Sequence, residues 1–552
     1  MPRRRADQTS KRRSKAPISA GATPKTGVLQ RFAAGLAGRP GLVAATIGLV
    51  TLALFLPAVW CGFVNWDDGR YVYDNPLVLG GLSAAAARHA FTDVVFSNWA
   101  PLTILSYQLD ATLFGTGPAG FHATNVLVHA VSASLLYLAL VRMTGAAGPS
   151  AVAALLFALH PLRVESVVWI AERKDVLSVL FLMLALLAYE RYCRSPGIGR
   201  YAAVAAAMLG SLLCKSTLVT LPALLLLLDV WPLGRVAVPG VGRPLRGGGS
   251  PAPYAALSWR QAVLEKIPLF VLSIVFAAIT LGVQAGAIQG EEAMPLLAAR
   301  IPNAIYAGNW YLWKTIWPTG LCPFHRHVGA DLPLGLLAAL AANLVALAAV
   351  GWKLARPLPF LAWGLAWFAV AALPMLGIVQ AGFQGCGDRF TYVPHIGLVT
   401  AAVWAVAALA RRLRLPGAWL TAATALLCVA LSVGTLRQIR IWSNSETLWT
   451  SMLRQDPANF MAHLKLANYL VAAGRLREAE PHYRAAVEHA PNDRPGHVCR
   501  MTALANLACL YFDLGDRERA WVIRDRALAI DADDVAVRRM VEHVGAPASA
   551  GD

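Results

Sequence analysis

Along most of this chain apolar residues run together instead of alternating with polar ones. From about residue 41 to about 435, stretches approaching the roughly 20 residues a helix needs to cross a bilayer recur between short polar breaks. Read together with the positions of Lys and Arg, the pattern predicts eleven crossings. They lie at 41–62, 121–143, 150–161, 175–192, 201–214, 217–231, 267–286, 333–352, 358–379, 394–410 and 416–435. The pieces 150–161 and 201–214 are too short to cross lipid unaided. Such spans are tolerated where neighbouring helices and a water-filled cavity take over, so they predict a cavity opening to the outside. Segments 101–115 and 300–317 are read instead as helices at the membrane interface, the latter on its three Trp and two Tyr.

Beyond residue 436 the chain becomes polar with helical periodicity. Leu466, Ala467, Leu470, Gly474, Ala479, Tyr483, Ala486 and Pro491 match the tetratricopeptide (TPR) template, and Leu507, Ala508, Tyr511, Gly515, Ala520 and Ala527 match it again 41 residues on. Trp449, Met452 and Pro457 read as part of a preceding unit. Small residues at fixed sites let paired helices pack closely. The expected fold is therefore all-α: a basic disordered tail over 1–40, a multi-spanning membrane domain over 41–436 and a TPR α-solenoid over 437–545. Two and a half repeats are marginal alone, which predicts docking on the membrane domain or pairing with another chain.

Composition agrees. Of 552 residues, 57% are hydrophobic and 14% charged, against about a quarter charged in soluble proteins. A soluble enzyme is excluded. The net charge of +18 suggests nucleic acid until it is located: Arg3, Arg4, Arg5, Lys11, Arg12 and Arg13 belong to a tail whose one acid is Asp7. A basic tail before a first span holds an N-terminus in the cytoplasm. The basic linkers 191–200, 235–266, 353–356 and 411–414 fall on that same side if the crossings alternate. No nucleic-acid partner is expected. The chain is placed in the cytoplasmic (inner) membrane with its C-terminal domain outside. Eight scattered cysteines form no CxxC pair, so neither a disulfide framework nor structural zinc is expected. The first apolar run is read as a retained helix, not a signal peptide.

The outward loops hold the candidate chemistry. Asp67 and Asp68, in Phe63-Val-Asn-Trp-Asp-Asp-Gly69, lie just past the first span; a carboxylate within hydrogen-bond reach of a hydroxyl takes its proton, although an acidic pair also suits a helix cap. Glu172-Arg173-Lys174-Asp175 follows the short third span, Lys215 interrupts an apolar stretch, and Asp388-Arg389-Phe390-Thr391-Tyr392 precedes the tenth span. Charges at membrane depth face a partner or a wet cavity, and interfacial anchoring is the plainer role for Arg173 and Lys174. Carboxylates gathered with cations suit transfer of a sugar from a lipid phosphate: a base activates the acceptor hydroxyl, and cations hold the departing phosphate. His122, Asn125 and His129 share one face of the second span and are expected to hydrogen-bond between helices. His160-Pro161 is expected to shape a turn. His325 and His327 alone do not make a metal site, and no metal or nucleotide cofactor is expected.

FVNWDD (63–68), WAPLT (99–103), FHATNVLVHA (121–130), LLFALHPLRVESVVWIAERKDVLS (155–178), LLCKSTLVTLPALLLL (212–227) and GDRFTYVPHIG (387–397), with the terminal repeats, resemble a known family. The chain is similar to GT-C glycosyltransferases, and more closely to the transmembrane and TPR-containing protein O-mannosyltransferases and their bacterial relatives. The resemblance implies a polyprenyl-phosphate sugar as donor and a polypeptide Ser/Thr as acceptor, met by the TPR domain. Asp67 is the implied base with Asp68 assisting, and the reaction inverts the anomeric carbon. Lys215 (with Ser216 where glycine often stands) and Arg389 are implied on the donor phosphate, with Tyr392 following. Glu172 and Arg173 match by position only, Arg173 as a third candidate on the donor phosphate; Glu172, Asp175, Tyr392 and His160 are supporting candidates. Two rivals remain: a membrane-anchored TPR scaffold without activity, and a transporter, for which the expected paired halves are not found.

Overall fold

Long apolar runs fold as helices because a bilayer leaves backbone N–H and C=O groups no partner outside their own segment. The computed structural model describes residues 38–242, 253–288, 294–380 and 382–545. Most of the basic tail expected over 1–40 lies outside the described residues. The first helices are α1 (Pro40–Phe55), α2 (Ala84–Thr92), α3 (Pro101–Phe114), α4 (Pro118–Thr144) and α5 (Ala147–Leu159). Next come α6 (Arg173–Arg194), α7 (Ile198–Cys214), α8 (Leu221–Val230), α9 (Trp259–Val283) and α10 (Ile301–Ile316). The apolar series ends with α11 (Leu334–Leu354), α12 (Pro359–Ala372), α13 (Pro394–Arg412) and α14 (Gly417–Ile441). Six further helices follow: α15 (Ser445–Gln455), α16 (Phe460–Ala472), α17 (Leu476–His489), α18 (Arg494–Asp513), α19 (Arg517–Ile530) and α20 (Val535–Val544). The fold is all-α; among the described residues the one sheet pairs His325–Arg326 antiparallel with Gln384–Cys386.

Seven helical segments are long and apolar enough to cross a membrane, as in a multi-pass membrane protein. An eighth forms if α5 and Pro161–Val168, bent by 58° at the His160-Pro161 break, count as one. Three shorter apolar helices complete the set: α7, Ser216–Val230 and Pro359–Met375. The eleven expected segments all coincide with helices, but their ends differ. α9 begins at Trp259 instead of 267 because Ser258 and Gln261 form a reciprocal capping box. α14 continues to Ile441. Burial sorts the spans: 61% of the apolar window is buried in both α4 and the segment containing α6, but 6% in α11 and α14. Side chains left bare over whole helices suit lipid contact.

Two breaks position chemistry. α7 ends at Cys214, Lys215 is extended (φ −157°, ψ 126°), and a 3₁₀ turn over Ser216–Thr220 leads into α8. The backbone break turns a lysine out of an otherwise apolar helical path. Similarly, the 3₁₀ turn Asp388–Thr391 presents Arg389 just before α13 starts at Pro394. α12 and α13 meet at Gly364 and Gly397. A Cβ on Gly364 would lie 2.6 Å from the Gly397 carbonyl oxygen, and one on Gly397 would lie 2.7 Å from that of Gly364. Only the smallest residue permits this approach.

α15–α20 pack each on the next in chain order. The template positions lie inside: Ala467, Ala479, Ala486, Ala508, Ala520 and Ala527 are all fully buried. The layer docks on the first loop of the apolar region. The Gly62 N–H donates to the Ser443 carbonyl (2.8 Å), and Trp66 packs 5.2 Å from Trp449.

Candidate functional site

The loop after α1 holds two adjacent carboxylates in different roles. Asp68 is buried and accepts hydrogen bonds from the backbone N–H of Val64 and of Ala171, both at 2.9 Å. It thereby staples the loop to the turn that opens α6. Burial pushes its carboxyl up to about 7, against the pull of those amides. Asp67 is half-buried and, among the described residues, its carboxylate accepts no hydrogen bond and forms no ion pair. Burial raises its carboxyl above the ordinary value, while Lys174, Lys465 and Arg389 pull it down. A carboxylate facing cations with its lone pairs unspent is placed to accept a proton.

Beside it stands a buried set of paired charges centred on Glu172. One Glu172 oxygen lies 3.3 Å from Lys174 Nζ and 3.3 Å from Arg389 Nε; the other accepts from Lys215 Nζ at 3.0 Å. Lys215 also reaches Asp175 at 2.6 Å, and Asp175 accepts from Ser166 Oγ at 3.2 Å. Arg389 is held by Glu165, both through its guanidinium and through its backbone N–H at 2.7 Å. Carboxylates that take the cations out of solvent also fix where those cations point. Lys174, Lys215 and Arg389 therefore stand preset around Glu172, with Lys174 and Arg389 within range of Asp67.

Two cavities flank this set. A cleft of about 390 Å³ is lined by Trp99, Lys174, Lys215, Ser216, Phe276 and Gln284, with Trp99 and Phe276 5.9 Å apart. A second, of about 330 Å³, is lined by Asp175, Ser178, Thr217, Arg389, Tyr392 and Pro394. The first joins a cationic end to an aromatic and aliphatic wall, which suits a ligand with a phosphate at one end and a hydrocarbon at the other.

The remaining expected residues serve the frame. Arg173 is fully buried: it pairs with Asp110 at 2.5 Å and donates to Asn125 Oδ1 (2.7 Å), the Phe121 carbonyl (2.7 Å) and the Ser106 carbonyl (3.2 Å). Every guanidinium nitrogen is engaged in tying α3 and α4 to α6, whereas the next residue, Lys174, turns to the Asp67 side with its ammonium over the Tyr71 ring at 4.6 Å. His160 Nδ1 accepts from the Leu162 N–H at 3.2 Å, so its Nε2 donates to the Thr315 carbonyl at 3.1 Å. Tyr392 Oη and His129 Nδ1 are 2.6 Å apart, and Asn125 donates to the Val167 carbonyl at 3.2 Å. Asn125 and His129 of the second span thus bond to neighbouring segments as expected, whereas neither ring nitrogen of the buried His122 is hydrogen-bonded among the described residues. Among the described residues no group of three His, Cys, Asp or Glu side chains is arranged to hold a metal ion.

Sequence reasoning passed over several members. Glu165 lies in the apolar stretch VESVV, 224 positions from its partner Arg389. Asp110 sits in a helix read only as interfacial. Lys174 was visible beside Arg173 but was not separated from it, and Lys465 carried no signal of its own.

No family model matches the chain. Individual relatives do. Protein O-mannosyl-transferase TMTC1 of Mus musculus is 25% identical over 76% of this chain and 53% of its own length. Protein O-mannosyl-transferase TMTC4 of Mus musculus is 26% identical over 79% of this chain and 65% of its own. Protein O-mannosyl-transferase Tmtc1 of Drosophila melanogaster is 33% identical over 37% of this chain and 23% of its own. The chain spans about half the length of the curated relatives it matches. Across three quarters of its length it is similar to TMTC protein O-mannosyl-transferases, the resemblance its motifs carry.

Proposed function

We propose that this chain is a membrane glycosyltransferase that moves a sugar from a polyprenyl-phosphate carrier to a hydroxyl of a protein acceptor. The observation that carries the reading is the unpaired Asp67 carboxylate facing Lys174 and Arg389 of the Glu172 set, which also presets Lys215. In a single displacement the acceptor oxygen bonds to the anomeric carbon as the bond from that carbon to the phosphate oxygen breaks. Asp67 takes the hydroxyl proton. The lipid phosphate leaves with the electron pair, and Lys215, Lys174 and Arg389 stabilise its growing charge. One displacement inverts the anomeric centre. The prenyl chain lies along the Trp99 and Phe276 wall of the larger cleft.

Mannose and Ser/Thr are proposed from the resemblance to the protein O-mannosyl-transferases. The site faces the outside of the cytoplasmic membrane, one crossing from a cytoplasmic N-terminus; eleven crossings bring α15–α20 to the same side, where they serve as TPR units that present the polypeptide. No metal or nucleotide cofactor takes part. Purified protein in vesicles is given polyprenyl-phosphate [³H]mannose and a Ser/Thr-rich peptide, and release of the lipid phosphate is followed. Turnover by the wild type and its loss in Asp67→Asn support the proposal. Equal turnover in Asp67→Asn removes Asp67 as base, and no turnover from folded wild type with a panel of lipid-linked sugars favours the scaffold.

A further inference from the structure

We propose that the C-terminal helices complete the catalytic compartment, with Lys465 of α16 as a positioning residue for the Asp67 carboxylate. The inference rests on the reading of Asp67 as the base. The loop carrying Asp67 is held as much by α15 and α16 as by the apolar region. The Asn65 N–H donates to Ser445 Oγ (2.9 Å), its side-chain amide donates to the Lys465 carbonyl (2.8 Å), and its Oδ1 accepts from Trp449 Nε1 (2.7 Å). Trp66 then packs among Trp169, Trp449 and Phe324, and the Lys465 ammonium sits 5.1 Å from its ring centroid. The backbone of Lys465 therefore orients the residue two before Asp67, and its side chain covers the residue immediately before it.

Among the described residues the Lys465 ammonium donates no hydrogen bond and forms no ion pair, as the Asp67 carboxylate accepts none. Two opposite charges left unspent side by side differ from the Glu172 set, where each charge is paired. Burial works against both charged forms, pushing Lys465 down and Asp67 up, and their mutual attraction opposes it. Asp67 is faced by Lys174 of α6, Arg389 of the turn before α13 and Lys465 of α16, with Glu172 as the opposing charge; Asp68 and Tyr71 approach from its own loop. Of the three cations, Lys465 alone has no carboxylate of its own. Docking of the C-terminal layer thus adds a cation to Lys174 and Arg389 in favouring the ionised base.

Infrared titration reads this directly in the full-length protein in vesicles. The Asp67 carboxylic C=O band is isolated by subtracting spectra of matched Asp67→Asn proteins, in wild type, Lys465→Met and Lys465→Arg. Lys465→Met is expected to raise the midpoint by about one pH unit, and Lys465→Arg to keep it near the wild-type value. An unchanged midpoint in Lys465→Met overturns the proposal; Lys465→Gln serves if thermal unfolding shows the Met variant misfolded. The band needs no turnover. Failure of Asp67 as base appears separately, as lipid-phosphate release that survives Asp67→Asn.

Discussion

A cluster of buried charges stands against each end of α6, and the two clusters are built differently. At its C-terminal end Asp229 pairs with Arg235 (2.9 Å) and Lys266 (2.5 Å), and Glu265 pairs with the same Arg235 (2.8 Å) and Lys266 (2.8 Å). Tyr189 Oη adds a hydrogen bond to Asp229 at 2.6 Å. Two acids and two bases close on one another, and Asp229, Lys266 and Arg235 are at most 3% exposed. At the N-terminal end Glu172, Asp175 and Glu165 hold Lys174, Lys215 and Arg389, but the set borders two cavities and Asp67 stands beside it unpaired. Buried charge alone therefore does not mark a site. Open space and a carboxylate with nothing to accept do.

Substitutions at the two ends should separate in kind. Asp67→Asn is expected to lower transfer by about 10²–10⁴-fold with little change in thermal unfolding. Asp229→Asn is expected to do the reverse: it leaves a buried cation short of its partner, a loss of about 3–5 kcal/mol in denaturant unfolding, with turnover per folded molecule retained. Equal behaviour of the two would dissolve the distinction. The lysines sharpen it. Lys215→Met should lower lipid-phosphate release by about 10²-fold. Its unfolding midpoint should fall as well, because Asp175 loses its ion pair while Glu172 keeps Lys174 and Arg389, whereas Lys266→Met should lower the unfolding midpoint and leave turnover per folded molecule intact.

A third test lies away from both clusters. Gly364→Val forces α12 off α13 and should cost about 1–3 kcal/mol in thermal unfolding, moving the Arg389 turn with α13. A further test is set by pH. Asp68 is raised in the folded chain to about 7, so it keeps a proton that the unfolded chain has released from about pH 4. Its contribution is full below that pH and declines as pH climbs toward about 7. Asp68→Asn should flatten this decline in unfolding midpoints taken across that range.

Much of this was legible in one dimension. Each apolar run became a helix because length and apolarity are read locally, and the break at Lys215 showed as a charge inside LLCKSTLV. Asp67, Lys215 and Arg389 were nameable because each interrupts or follows an apolar run. Helix ends were missed where a cap decided them, as at Ser258. Arg173 and Lys174 were inseparable in sequence, since one residue of helical rotation sends the first into the α3–α4 interface and the second toward Asp67.

By itself the sequence determined the all-α membrane architecture, the repeat pattern after residue 436 and the charged residues set among or beside apolar runs, because hydropathy and local punctuation act over tens of residues. Tertiary structure alone decided which charges are spent. Glu165 meets Arg389 across 224 positions, and Asn65 meets Lys465 across 400. A carboxylate's chemistry depends on what already occupies its lone pairs, and that is settled only when distant segments pack.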